Sequence, residues 1–179
     1  MSDEFNQKVH GRRFYEDRRV SRIKALPRCV WVVLNGLGGA YGWYHADWLW
    51  ELRGSLDSAL GGVGMRRRSR TDQAPLRRGA EVGFWRVLSV VPGHRLELLA
   101  EMKLPGIATL TFEVKNVGDG TSELDQIARF WPSSFLGDIY WYSFIPAHHY
   151  IFKGMIQKIG NIASGLDCEL CPDPCLHPN

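Results

Sequence analysis

Apolar and polar positions change their period twice along this chain. Arg18 to Ala25 reads as a first strand, and Leu26-Pro27 then opens an apolar run from Cys29 to Leu34. A proline so close to a helix start is tolerated because the first-turn N–H groups have no intrahelical partner. A helix is expected there, ended by Gly36, Gly38 and Gly39. Ala46 to Leu60 carries Leu49, Leu52, Leu56 and Leu60 at three- and four-residue spacing. Trp48 and Leu52 extend its apolar face and Gly61-Gly62 stops it, which makes a second helix.

The period then becomes two. Val82 to Val91 is a strand, Pro92-Gly93 a turn, and in His94 to Leu104 the side chains of Leu96, Leu98, Ala100 and Met102 share one face. Ala108, Leu110, Phe112 and Val114 repeat the pattern. Asp119-Gly120 supplies a hairpin turn, after which Leu124, Gln126, Ala128 and Phe130 continue it as far as Pro132. These strands form an antiparallel meander. Last comes a long helix with Trp141, Phe144, His148, Ile151, Met155, Ile159 and Ile162 on one stripe, and a kink or restart expected at Pro146. One amphipathic helix against one half-apolar sheet buries both faces, so the fold class is α+β, with the sheet wrapping the helix.

Residues 1–13 are polar and residues 164–179 are rich in Pro, Cys and Asp, so both read as tails around a single domain at 14–163. With 179 residues the chain can bury a sizeable core without metals or disulfides. The net charge of +3 is unevenly spread, with Arg66, Arg67, Arg68, Arg70, Arg77 and Arg78 in one stretch. No aromatic platform or groove-reading motif accompanies them, so they read as a solvated loop or edge and not as a nucleic-acid site. Met1 to Gly11 lacks the order of a signal peptide, which makes the cytoplasm the expected location. Asp138, Pro146, His148 and His149 interrupt the greasy segment Phe135 to Phe152, so no membrane span is expected, an interfacial helix being the alternative.

Aromatics are 12% of the chain, and two clusters concentrate them: Tyr41 to Trp50 around Asp47, and Tyr140-Trp141-Tyr142-Ser143-Phe144. Large aromatics with polar edges line greasy cavities whose rims need hydrogen bonds, so the clusters point to a shared pocket; they serve equally as two halves of one core. His148 is a titratable group on an apolar stripe, either a proton-transfer group or a hydrogen-bonded core histidine. Asp47 is either an acid–base carboxylate or the partner of Arg53. Gln126 falls on the inward face, where an amide orients a ligand carbonyl or satisfies buried backbone. Glu101 and Lys103 read as a solvated edge, and Arg86 and Arg129 are ambiguous.

Gly36-Leu37-Gly38-Gly39 after Val30 to Leu34 looks superficially like a dinucleotide loop. Tyr41 stands where the third glycine belongs and no βαβ unit follows, so the glycines read as a turn between helices and no cofactor is expected. Cys168, Cys171, Cys175 and His177 supply enough ligands for one zinc, but the spacing is unlike a folded zinc site, and the tail reads as metal-free. Four cysteines, three of them crowded at one end, do not make a secreted disulfide framework.

Gly42-Trp43-Tyr44-His45-Ala46-Asp47-Trp48-Leu49-Trp50, Leu52-Arg53-Gly54 and Gly61-Gly62-Val63-Gly64 resemble a bacterial domain-of-unknown-function family, number 2867. So do Phe84-Trp85-Arg86-Val87, Ala100 to Gly106, Ala128-Arg129-Phe130, Tyr140-Trp141-Tyr142 and Ile151 to Met155, in order across Tyr15 to Ala163. The resemblance implies a helix-grip fold of the START and pollen-allergen type, a curved sheet around a long C-terminal helix with two shorter helices after the first strand. That superfamily includes lipid carriers and polyketide cyclases. The family's domain often follows a short-chain dehydrogenase-like domain, so a dehydrogenase-like partner acting in trans is a further expectation. A hydrophobic small molecule is expected between sheet and helix, walled by Trp43, Trp48, Trp85, Met102, Phe112, Trp141, Phe144 and Met155, with Gln126, His148 and Tyr140 as polar contacts. The alternatives are a cyclase or isomerase using His148 and Asp47 in the same cavity, and a docking domain with a filled core.

Overall fold

In the computed structural model, which describes residues 2–39, 42–59, 61 and 75–167, the alternating segments pair into one curved six-stranded antiparallel sheet. Its strands are β1 (Tyr15–Ile23), β2 (Glu81–Val82), β3 (Trp85–Val91), β4 (Arg95–Ala100), β5 (Gly106–Gly118) and β6 (Thr121–Pro132), in the spatial order β1-β6-β5-β4-β3-β2. The expected strand over Val82–Val91 divides at Gly83, whose φ of 64° turns the chain between β2 and β3. The first strand starts at Tyr15, ahead of the expected Arg18, because its alternation extends back through Asp17 to Tyr15 opposite Phe130.

Among the described residues four helices accompany the sheet: α1 (Ser2–Val9), α2 (Pro27–Asn35), α3 (Asp47–Ala59) and α4 (Phe135–Gly165). Pro27 occupies the first turn of α2, and the buried Cys29, Val30, Trp31, Val33 and Leu34 face the core. α1 lies in the stretch expected as a polar tail. Its Phe5 is 8% exposed and packs with Leu88 and Trp131 on the outer face of the sheet. Leu88 and its neighbour Val87 are therefore both buried, one under α1 and the other in the main core.

The main core lies between the concave face of the sheet and helices α2 and α4. Along α4 the stripe read from the sequence is the side that faces inward, and the helix runs unbroken through Pro146 with no restart. Its two halves differ in seating. Met155, Ile159 and Ala163 are fully buried, and Gly160 lies directly over Ser21 and Ile23 of β1. Toward the N-terminus Phe135, Leu136, Ile139, Tyr142, Ile145 and Tyr150 are exposed. The C-terminal half is thus enclosed in the main core, whereas the N-terminal half is seated by Gly137 against Pro105 and Pro132 and by Trp141, and keeps its outer flank exposed.

Polar clamps hold the strands in register. Asp125 of β6 is buried and accepts hydrogen bonds from Arg18 of β1 and Lys115 of β5 at 2.9–3.2 Å. Burial by itself would raise its pKa, but the two cations outweigh it and hold the carboxyl below the usual range. Cys29 is disulfide-bonded. No helix among the described residues is long and apolar enough to cross a membrane.

Candidate functional site

Room for a cavity opens where inward-facing positions are alanine. Ala108 of β5 faces Phe130 across the sheet, Ala128 of β6 faces Leu110, and Ala100 of β4 faces Trp85. Elsewhere on the same face Leu96, Leu98, Leu110 and Leu124 fill the core completely. With Ala147 above them on α4, the short side chains leave a cavity of about 110 Å³ in a cleft whose empty volume, open mouth included, is about 770 Å³. The helix supplies Tyr140, Trp141, Phe144, His148, Ile151 and Phe152 to the wall; Trp85, Met102, Leu104 and Phe130 close the sheet side and Leu49 comes from α3.

The wall is stiffened by ring contacts. Trp141 stacks between Tyr15 and Phe130, at centroid distances of 5.5 Å and 5.9 Å and interplanar angles of 9° and 6°. Tyr140 leans on Phe130 at 5.6 Å and on Phe144 at 4.6 Å. His148 sits among Trp141, Phe144 and Phe152, with ring centroids 5.3 Å, 6.3 Å and 5.3 Å away. Burial in this apolar setting is the main reason its pKa falls to about 4, with Asp17 raising it and Arg19 lowering it. His148 is therefore a neutral imidazole at neutral pH, and its buried Nδ1 has no hydrogen-bond partner among the described residues. His149 is exposed on another flank.

Of the residues expected at the site, Trp85, Met102, Tyr140, Trp141, Phe144 and His148 come together on the cavity wall. Trp43 is buried one layer behind it, 6.4 Å from the Phe84 ring and 6.1 Å from that of Trp85. Phe112 and Met155 are fully buried in the main core and do not line the cavity. Trp48 departs most from expectation: it is 61% exposed, because Leu49, its neighbour on α3, is the one turned toward the cavity. Gln126 is buried on the concave face just beyond the cavity wall, with both amide atoms unpartnered. Asp47 begins α3, and its side chain lies outside the described residues, as does that of Arg53.

The polar residues left ambiguous by the sequence are structural. Glu101, expected on a solvated edge, accepts hydrogen bonds from Arg86, which also reaches Glu81 at 3.0 Å. This clamp ties β2, β3 and β4 together behind the Trp85 and Ala100 pair. Arg129 donates to Glu16 at 2.8 Å, across the sheet edge, and also borders the cleft beside Thr109. The glycines after α2 are packed against protein: a side chain at Gly38 would strike Val82, and one at Gly36 would strike Tyr44, whose hydroxyl donates to the Val33 carbonyl at 2.8 Å. Arg66, Arg67, Arg68, Arg70, Cys168, Cys171, Cys175 and His177 lie outside the described residues. Among the described residues no group of His, Cys, Asp and Glu is placed to hold a metal ion.

Sequence reading missed the alanines, together with Leu49, Leu104, Thr109, Arg129, Phe130, Ile151 and Phe152, as wall residues. The available signal was an alanine at an inward position of an alternating strand, at Ala100, Ala108 and Ala128.

The profile of a family described as Protein of unknown function (DUF2867) matches residues 10–155. The chain belongs to this family. Comparison of this DUF2867 chain with curated proteins finds no significant match. Its fold is similar to norcoclaurine synthase from Thalictrum flavum at 11% identity and TM-score 0.53, over 90% of this chain and 92% of that one. A protein of unknown function from Staphylococcus aureus is similar at 11% identity and TM-score 0.53, over 86% and 95% of the two chains. The Zhui aromatase/cyclase from Streptomyces sp. R1128 matches at 9% identity and TM-score 0.50, over 84% and 94%. At such identities these likenesses establish the helix-grip fold of the DUF2867 chain and carry no chemistry across.

Proposed function

We propose that this DUF2867 domain binds a hydrophobic or aromatic small molecule between the sheet and the N-terminal half of α4. The alanine set carries the reading: Ala100, Ala108, Ala128 and Ala147 empty a space that aromatic rings then line. A domain with no occupant to receive would fill these positions, as it does at Leu96, Leu98 and Leu110. An apolar cleft with few polar groups is the common form of a small-molecule site, and here a cavity of about 110 Å³ lies within it.

Ala147→Leu tests this. Naphthalene titrated into the protein should quench its tryptophans, and Ala147→Leu should weaken that binding at least about tenfold, since a leucine there occupies the cavity. Equal naphthalene affinity in the variant would place the probe elsewhere and sink the reading. Native mass spectrometry of protein from its own host would identify the class of the natural occupant.

The enzymatic alternative, a cyclase or isomerase in the same cavity, assigns proton transfer to His148 and Asp47. A His148 that holds no proton at neutral pH offers no acid there and is a weak base, so binding without turnover is the reading we adopt. The docking alternative requires a solid core, and its support is limited to the exposed apolar stripe of α4 that a dehydrogenase-like partner would cover. Cytoplasmic location is retained as part of the proposal. The disulfide at Cys29 argues against it, because cytoplasmic thiols are kept reduced. Alkylation mapping after denaturation without reductant decides the point, since Cys29 is fully buried in the fold: a free Cys29 thiol supports the cytoplasm and a blocked one rejects it.

A further inference from the structure

The middle of α4 covers a group of polar atoms that the protein leaves without partners. Tyr15 stacks on Trp141, and Gly160 lies over Ser21 and Ile23, so one face of β1 meets α4 at both ends. Alternation then turns Asp17 and Arg19 of that same face toward the middle of the helix, where both act electrostatically on His148. In the register of the sheet Arg19 stands opposite Gln126, and Gln126 stands opposite Phe112 of the core. Gln126 Nε2 and Oε1, Arg19 Nε and His148 Nδ1 are all buried, and none of them has a hydrogen-bond partner among the described residues. Gln126 is 1% exposed, two positions along β6 from Ala128, and Ala128 and His148 both belong to the cavity wall.

Buried amides are seldom left unsatisfied, because the loss of hydration is then uncompensated. The character of this group limits what could satisfy it. Arg19 Nη2 donates to Asp17 Oδ2 at 2.7 Å, so that pair is neutral, and Gln126 carries no charge. His148 is neutral as well. The group offers an amide oxygen that accepts, amide and guanidinium N–H groups that donate, and an imidazole nitrogen.

Resting on the binding reading above, we propose that the inner end of the cavity is a subsite for a neutral aromatic hydroxyl, with Gln126 as its principal partner and Arg19 and His148 beside it. A hydroxyl donates and accepts at one atom, which matches both ends of the Gln126 amide. A carboxylate would bring an uncompensated charge into apolar surroundings, and an unsubstituted ring would leave every polar atom of the group unpaired.

The test compares naphthalene, naphthol and naphthoate as ligands of the chain and of its Gln126→Leu variant, read by tryptophan fluorescence. Naphthol should bind about tenfold more tightly than naphthalene, and naphthoate more weakly than naphthol. Gln126→Leu should remove most of the naphthol advantage by weakening naphthol, while naphthalene binds at least as well because no amide is left unpaired beneath it. If naphthol and naphthalene bind equally well, or the advantage survives Gln126→Leu, the subsite is overturned while the cavity reading stands, and water serves the amide. If none of the three binds, both are overturned. Should the variant fail to fold, NMR of the Gln126 side-chain amide in the unaltered protein decides: its signals should move with naphthol and stay with naphthalene, and an amide unmoved by naphthol overturns the subsite.

Discussion

Apolar rings on three sides make the imidazolium form of His148 costly, which is why its pKa drops from 6.5 to about 4. An unfolded chain would protonate this ring near pH 6.5, whereas the folded one resists until about 4, so between those values the unfolded state binds more protons. The stability linked to His148 is therefore complete above the unfolded value and is lost as pH falls toward the folded one, by about 3 kcal/mol in all. Urea melts across that window should show His148→Phe losing less stability on acidification than the unaltered protein. The ring signals of His148 should titrate near pH 4, and a midpoint near 6.5 would mean that the ring is hydrated. Its place on the apolar stripe of the last helix was legible in the sequence, because helical spacing alone assigns a face. The depressed pKa was not, since it depends on Phe152 one turn away and on Asp17 and Arg19 from a strand far back in the chain.

Among the elements, α1 and the N-terminal half of α4 are the ones whose roles follow from packing. A helix of 8 residues is marginal by itself, so α1 depends on Phe5 and Val9 meeting Leu88, Leu99, Ile107 and Trp131. Phe5→Ala should cost about 2 kcal/mol and lower the melting temperature by several degrees. An unchanged melt would show that α1 does not hold that face. Two apolar residues four apart in a polar segment are too weak a pattern to announce a helix, which is why residues 1–13 read as a tail. The strands were far more legible: Leu96 to Ala100, Ala108 to Val114 and Leu124 to Phe130 alternate for long enough that period two has no competitor, although the strand expected to run on to Leu104 ends at Ala100.

For the whole molecule, cavity and stability oppose one another. Ala147→Leu should raise the melting temperature of the free protein if the leucine is accommodated without strain, because it buries apolar surface in space now empty. The unaltered protein should regain that difference on binding: a ligand at a hundred times its dissociation constant stabilises by about 2.7 kcal/mol. Melts with and without naphthalene check both halves. A variant that is no more stable when free, yet still gains from naphthalene, would mean that position 147 does not border the binding space.

Hydrophobic periodicity by itself determined the α+β class, the meander, the long C-terminal helix and the inward placement of Gln126 and His148, because period and face are local properties of a helix or strand. Motif order determined the family. Only the tertiary structure decided that α4 is enclosed along its C-terminal half and exposed on its outer flank toward the N-terminus, that Ala100, Ala108, Ala128 and Ala147 line one cleft, and that Trp48 is exposed where Leu49 turns toward the cavity. Those outcomes depend on which residues from distant segments meet, and a missing side chain becomes a cavity only when its neighbours across the sheet and above it are also too small to fill the gap.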